Sequence, residues 1–323
     1  MSRDAAHGGS ATPRRVSSVL ICDRRGRELA ARVSARRPDL QCRVRPDATL
    51  TAADRIWADA LIGFAAPGPL DGSSIRWVHS TGAGVDGLLL GHRWPDDVTL
   101  TRTVGALGDR MAQYCVGHAL AHTQRVLPFH RDQIARRWSP VEPTTLRGAR
   151  VVIVGTGSVG SVVAARFGGF GCETIGVSRR GRSTPGFDQV RSVDQLGAMV
   201  ETARWLVLAA PLTPATRGLM DGPVLSRCRG GFLINVSRGA LLDTSALLAA
   251  LDAGRLAGAA LDVFDEEPLP SDSPLWEAPG VRITPHIAGV THVDEAADAF
   301  LEALTRLEAG ERPHSAVDPT RGY

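Results

Sequence analysis

The stretch VVIVGTGSVG, residues 151–160, decides how the rest of the chain is read. An apolar run of strand type, Val151 to Val154, leads straight into Gly155, Gly157 and Gly160 in the pattern G-x-G-x-x-G, and the following SVVAARFGG has helical character. A buried strand, a glycine turn and a helix in that order build the first unit of a dinucleotide-binding sheet. The first glycine permits the tight turn, the second lets the backbone approach a pyrophosphate, and the third lets helix and strand pack closely. The amino end of the helix, at Ser158 and Val159, presents N–H groups and the positive end of the helix dipole to the phosphates. The six-residue pattern alone is common in turns; between these two flanks it predicts dinucleotide binding.

Further apolar runs follow in CETIGVSRR, ARWLVLAAPLT, GGFLINVSRGA, LAGAALDVFDEEP and VRITPHIAG, each ending in polar, Gly or Pro residues and separated by helical segments. Before the glycine turn a similar alternation runs through VSSVLICD, RELAARVSARR, ADALIGFAA, IRWVHSTGAG and DVTLTRTVG. Short buried strands alternating with helices predict parallel sheets, so the chain reads as α/β. At 323 residues and 43% hydrophobic it is long enough for two domains, each with its own core. The segment from Asp109 to about Trp138 has long helical character with Pro128 as its expected break. The final DEAADAFLEALTRLEAG has an amphipathic helical period that suits packing back on the first domain.

TIGVSRRGR, residues 174–182, lies where many dinucleotide-binding domains carry an acid for a ribose hydroxyl. Here Ser178 stands at about that place, followed by Arg179 and Arg180, with Arg182 beyond. An acid would repel a 2′-phosphate, whereas Ser178 can donate a hydrogen bond to it and the guanidinium groups can pair with it. The segment therefore predicts NADP as the preferred cofactor, with NAD also possible. The plainer alternative is a solvated basic turn.

Three more polar residues end apolar runs: Arg238 in INVSRGA, Glu267 in LDVFDEEP and His286 in ITPHIAG. An arginine can hold a carboxylate through two parallel hydrogen bonds, an imidazole can give a proton to a carbonyl oxygen, and a nearby carboxylate can keep that imidazole charged. These are the parts needed to reduce a 2-oxo acid. Spacing alone leaves each of them open to reading as a surface charge or a satisfied core residue.

Taken in order, VVIVGTGSVG, APLTPATRGLM, LINVSRGALLD, LDVFDEEPLP and TPHIAG resemble the D-isomer-specific 2-hydroxyacid dehydrogenase family, and STGAGVD resembles its substrate-domain loop. The likeness is strongest from about Arg110 to Gly289. It implies two Rossmann-like domains with parallel sheets and the active site in the cleft between them. The substrate domain would comprise residues 1–112 and 291–323, with 1–15 a flexible tail, and the dinucleotide-binding domain residues 113–290. The family's catalytic arginine, glutamate and histidine fall on Arg238, Glu267 and His286. Pro211 and Thr216 match cofactor-binding positions, Asp262 the position near the nicotinamide amide, and Ala83 and Gly84 the loop whose backbone N–H groups hold the substrate carboxylate. One departure is Gln113, where relatives often carry Glu. The implied activity is NADPH-preferring reduction of a small 2-oxo acid, glyoxylate or hydroxypyruvate first, to the D-2-hydroxy acid. A dehydrogenase for a bulkier acid of phenylpyruvate type and a non-catalytic dinucleotide-sensing regulator are the alternatives.

Composition narrows the field further. All 37 basic residues are Arg, which excludes a P-loop lysine and a Schiff-base lysine. A net charge of +3 without a basic stripe argues against nucleic acid as a partner. The five cysteines, Cys22, Cys42, Cys115, Cys172 and Cys228, are scattered, with no C-x-x-C, and suit a reducing cytosol. The polar start MSRDAAHGGSATPRR lacks the apolar core of a signal peptide, and no apolar run is long enough to span a bilayer. His118 and His122 share a helical spacing of four but have no third ligand in sequence, so no metal site is expected. Their segment resembles the family's interdomain and dimer-contact region, and Trp138 reads as packing or interface. A cytoplasmic homodimer is the expectation.

Overall fold

The computed structural model describes residues 15–45, 50–65, 68–91 and 93–323. Residues 1–14 of the expected tail, and Ala66 and Pro67 of the loop after ADALIGF, lie outside the described residues. The chain divides into two compact units, Met1–Ala106 with Thr291–Tyr323, and Leu107–Val290. The division falls at the start of a helix; a boundary at residue 112 would cut through its hydrogen-bonded ladder.

In the first unit, β1 (Ser18–Cys22), α1 (Gly26–Arg36), β2 (Gln41–Val44), α2 (Ala52–Trp57), β3 (Ala60–Gly63), β4 (Trp77–Ser80), α3 (Asp86–Leu89) and β5 (Thr99–Arg102) follow in chain order. The strands form a parallel sheet ordered β2-β1-β3-β4-β5. Val19 and Ile21 face a core with Leu29, Val33, Trp77 and Phe300, while Leu20, Leu61, Val78 and Leu100 pack on the other face. Burial on both faces is why these strands read as unbroken apolar runs. The helix Val293–Glu308 supplies Ala296, Ala297, Phe300 and Leu304 to the first of these cores. Its polar face meets α1 through the Arg32–Asp294 pair at 2.5 Å and the Arg37–Glu308 pair at 2.9 Å. These pairs are largely at the surface and add little beside the apolar seam.

The second unit opens with α4 (Leu107–Thr123) and α5 (Val126–Ile134). The expected break at Pro128 is corrected: the helix stops around Arg125, which takes a left-handed conformation at φ 56°, and α5 ends at Ile134 rather than Trp138. Pro128 is accommodated in the first turn of α5, where its missing N–H would have no intrahelical partner. Then come β6 (Arg150–Val154), α6 (Ser158–Gly169), β7 (Glu173–Ser178), β8 (Gln189–Ser192), α7 (Leu196–Val200), β9 (Trp205–Leu208), α8 (Gly222–Leu225), β10 (Gly231–Asn235), α9 (Thr244–Asp252), β11 (Leu256–Leu261) and β12 (Val281–Ile283). All seven strands are parallel, in the order β12-β11-β10-β9-β6-β7-β8. The chain order reverses at β6, between β9 and β7, and ligands of such sheets bind outside the carboxyl ends of the strands at that reversal. Among the described residues no helix is long and apolar enough to cross a membrane.

Candidate active site

The glycine turn leaves β6 at its carboxyl end. Gly155 adopts φ 108°, and a Cβ there would stand 2.6 Å from Ala209 O, so only glycine fits. A Cβ on Gly160 would lie inside the contact distance of Gly155 O, which fixes the close approach of α6 to the turn. Gly157 differs: among the described residues, no atom comes within 4 Å of a Cβ built on it. The chain itself does not require glycine there, but a pyrophosphate lying against the backbone would. Gly157 is also the N-cap of α6 and supplies no side-chain cap, so the N–H groups of Ser158, Val159 and Gly160 begin the helix without one. The turn fits a dinucleotide.

Ser178 closes β7, opposite Ser192 of β8, and the turn after it exposes Arg179 and Arg180. Ser192 Oγ donates to Arg179 O at 3.4 Å, tying the turn to the edge strand. Among the described residues neither guanidinium is held in an ion pair. After β9, the Thr216 hydroxyl donates to Pro211 O at 2.7 Å and accepts from Thr213 N at 2.8 Å, which draws Pro211 and Thr216 into one closed loop.

The three proposed catalytic side chains leave the adjacent strands β10, β11 and β12. Arg238 is half-buried and extended, with its NH1 group donating to Ser237 O at 2.7 Å, and its carbonyl accepts from Asn235 Nδ2 at 3.1 Å. A Cβ on Gly239 would collide with the Phe264 backbone, so the Arg238 loop lies directly against the segment that leads to Glu267. Glu267 Oε1 accepts from Phe264 N at 2.9 Å, and Oε2 meets His286 Nδ1 at 2.7 Å. That partner fixes Nδ1 as the nitrogen engaged with the protein and leaves Nε2 for chemistry. Both side chains are partly exposed, at 39% and 35%.

Asp262 follows β11 and is 1% exposed. Its Oδ1 accepts from Thr284 Oγ1 at 2.6 Å and from Ile287 N at 2.9 Å, and Oδ2 accepts from Ala288 N at 2.8 Å. In this structure its carboxylate holds the backbone around His286. Tyr114 of α4 bonds the same Thr284 hydroxyl at 2.7 Å. Sequence reasoning assigned no role to Thr284 or Tyr114. The available signal was register: Leu261 pairs with Ile283, so Asp262 and Thr284 are the next residues of two neighbouring strands.

Ala83 and Gly84 belong to the first unit, in the turn after β4. Ser80 Oγ donates to Gly84 O at 3.1 Å, Arg102 NH1 to Ala83 O at 3.2 Å, and Thr81 Oγ1 to Asp23 Oδ2 at 2.8 Å. The two carbonyls are thus turned into the unit. Gln113 donates through Nε2 to Asp109 Oδ2 at 2.8 Å, one turn back on α4. His118 lies tilted against Tyr114 at 4.3 Å between ring centres, and His122 lies 4.7 Å from the Phe232 ring centre. Burial, aided by Arg204 and Arg282, pushes the His122 imidazole down to about 4. Among the described residues no group of three His, Cys, Asp or Glu side chains is placed to hold a metal ion.

Residues 116–288 match the family model described as D-isomer specific 2-hydroxyacid dehydrogenase, NAD binding domain. Glyoxylate/hydroxypyruvate reductase A of Citrobacter koseri is 34% identical over 261 residues, which span 79% of this chain and 84% of that protein. The crystal structure of a D-isomer specific 2-hydroxyacid dehydrogenase from Xanthobacter autotrophicus Py2, in complex with NADPH and MES, superposes with a TM-score of 0.87 at 32% identity, covering 96% of this chain and 100% of that one. An NADPH-dependent glyoxylate/hydroxypyruvate reductase from Sinorhizobium meliloti, in complex with NADP and sulfate, gives 0.84 at 27% identity over 95% and 100% of the two chains.

Proposed function

The chain belongs to the D-isomer specific 2-hydroxyacid dehydrogenase family, and from that premise we propose that it is an NADPH-preferring reductase of small 2-oxo acids, glyoxylate or hydroxypyruvate first, yielding D-2-hydroxy acids. As a family member it is an NAD(P)-dependent oxidoreductase that uses a nicotinamide dinucleotide. The bound nicotinamide supplies a hydride to the carbonyl carbon.

The observation that carries the reaction is the 2.7 Å contact between Glu267 Oε2 and His286 Nδ1. With Nδ1–H held there and Oε1 anchored on Phe264 N, the ring presents Nε2–H as the proton donor to the carbonyl oxygen. Arg238, on the neighbouring strand end, is the fork for the substrate carboxylate and carbonyl. Ala83 and Gly84 are proposed as backbone donors to that carboxylate. The cofactor preference rests on Ser178 in place of an acid and on the exposed Arg179 and Arg180 beside it, neither in an ion pair among the described residues. The NADPH and NADP complexes of the Xanthobacter and Sinorhizobium proteins support the same reading.

We propose a homodimer as well, built on the arm that follows α4. Helix α5 has no buried residue, and Ile134 and Trp138 are 71% and 95% exposed. Exposed apolar surface of this extent suits burial against a second copy. The scattered cysteines remain the basis for a cytoplasmic location.

The test is a panel of 2-oxo acids, small and bulky, assayed with NADPH and with NADH. The reading requires kcat/KM at least about tenfold higher with NADPH, since each charge-assisted contact is worth about 1.5 to 3 kcal/mol. Replacing Arg179 and Arg180 with Ala should weaken NADPH far more than NADH. Equal kcat/KM for the two cofactors in the unmodified enzyme would defeat the NADPH assignment. Preference for aromatic 2-oxo acids would move the substrate to the phenylpyruvate type, and no turnover over the whole panel would favour a dinucleotide-sensing regulator.

A further inference from the structure

His286 occupies the left-handed region at φ 55°, a conformation that costs a side-chain-bearing residue about 1 kcal/mol or more and persists only where its surroundings hold it. What holds it is Asp262. The Asp262 carbonyl accepts His286 N at 2.8 Å, an N–H that Thr284 O also accepts at 3.1 Å, and its carboxylate accepts the next two amides, Ile287 N at 2.9 Å and Ala288 N at 2.8 Å. Three successive N–H groups therefore converge on one residue, and the imidazole projects from the first of them. The remaining bond to the carboxylate comes from Thr284 Oγ1, at 2.6 Å.

The direction of the hydrogen bonds follows from counting hydrogens. An ionised carboxylate only accepts, so the single hydroxyl hydrogen of Thr284 goes to Asp262. Tyr114, at 2.7 Å from the same oxygen, must then be the donor to Thr284. Burial raises the Tyr114 hydroxyl well above the ordinary phenol range, which keeps its proton in place. Tyr114 stands on α4 and Thr284 directly after β12, where Thr284 N also donates to Leu261 O at 3.0 Å. The line thus ties a helix of the unit to the segment that carries the imidazole.

We propose that Thr284 and Tyr114 are positioning residues for His286, acting through a line of hydroxyls from Tyr114 to Thr284 to the Asp262 carboxylate that sets the backbone of residues 286–288. The inference rests on the reading of His286 as proton donor. Its consequence, when the line is cut, is a loss of turnover much larger than any loss of dinucleotide binding, because the glycine turn and the β7 end lie on other strands of the sheet and only Asp262, expected beside the nicotinamide amide, is shared with the cofactor site.

The experiment compares Thr284→Val, Thr284→Ser, Tyr114→Phe, the Thr284→Val/Tyr114→Phe double variant and His286→Ala, measuring kcat, KM for glyoxylate and the dissociation constant for NADPH. Thr284→Val should lower kcat about tenfold, as displacement of a reacting group by a fraction of an ångström does, with the NADPH dissociation constant changed by less than about twofold. Thr284→Ser, which keeps the hydroxyl, should restore kcat to within about twofold of the unmodified enzyme. Tyr114→Phe should lower kcat about threefold alone and add almost nothing to Thr284→Val, since the two hydroxyls act in series. Unchanged kcat in Thr284→Val, failure of Thr284→Ser to recover it, or independent effects in the double variant would each overturn the proposal. Should Thr284→Val not fold, Tyr114→Phe, which deletes one oxygen, decides the matter: it must lower kcat. His286→Ala separates this inference from the reading beneath it. If that variant keeps its turnover, His286 is not the donor; if it loses turnover while Thr284→Val does not, only the positioning line is wrong.

Discussion

Lowering the pH from 7 to 4.5 should weaken the first unit through one residue, His79 of β4. The side chain is 0% exposed and lies just before the turn that carries Ala83 and Gly84. Trp77 Nε1 donates to Thr101 Oγ1 at 2.8 Å, and the Thr103 hydroxyl donates to Ser80 O at 3.1 Å. Thr103 Oγ1 is left to accept from His79 Nε2 at 3.0 Å, and the Thr101 hydroxyl to donate to Nδ1 at 2.7 Å. The network suits a neutral ring protonated on Nε2. Burial holds this imidazole down to about 3, against an ordinary 6.5. Below pH 6.5 the unfolded chain therefore takes up a proton that the native state refuses. Stability is full above that pH and declines as the pH falls towards 3. At about 1.4 kcal/mol per pH unit, the loss at pH 4.5 is on the order of 3 kcal/mol. The figure is insensitive to the native value, which lies well below the working pH. The assay is native-state amide hydrogen exchange of the Trp77–Ser80 segment in the unmodified protein and in His79→Gln, which keeps a donor for Thr103 and does not titrate. Carboxylate contributions are common to both proteins and cancel. The variant should open more readily at pH 7, and the difference between the two should narrow by on the order of 3 kcal/mol at pH 4.5. Equal acid losses in both proteins would refute the argument.

Two glycines of the turn should behave in opposite ways. Gly160→Ala forces a Cβ onto Gly155 O and should lower the stability of the second unit by about 3 kcal/mol or more, read as a fall in the urea midpoint. Gly157→Ala meets only open space and should leave that midpoint unchanged while weakening NADPH at least about tenfold in a fluorescence titration, because in the proposed cofactor site the Cβ would stand where the pyrophosphate approaches. Arg238→Lys should raise KM for the oxo acid and reduce kcat together, since a point charge cannot replace a planar fork; wild-type values for both would remove the clamp from the mechanism. Trp138→Asp should shift sedimentation from dimer to monomer, and an unmoved sedimentation coefficient would place the interface elsewhere.

The central strands of both sheets were legible because burial on two faces writes itself into the chain as runs such as VVIV and WLVL. The glycine turn was legible because its requirements are local, being a φ that only Gly155 can adopt and a helix that must approach at Gly160. Arg238, Glu267 and His286 stood out because each ends an apolar run, and parallel strands bring such ends together. The edge strands β2 and β8, QCRV and QVRS, were not read: half-exposed and four residues long, they carry no sustained apolar pattern, and only pairing with β1 and β7 makes them strands. The helix break at Arg125 was misplaced to Pro128 because proline is a breaker only where its N–H is needed, and that depends on where the preceding helix ends. Tyr114 and Thr284 lie 170 residues apart, and no local pattern joins them. Periodicity and turn chemistry are properties of neighbours along the chain. The bonds that hold His286 in its left-handed conformation are properties of neighbours across the sheet, and they exist only once α4, β11 and β12 have packed.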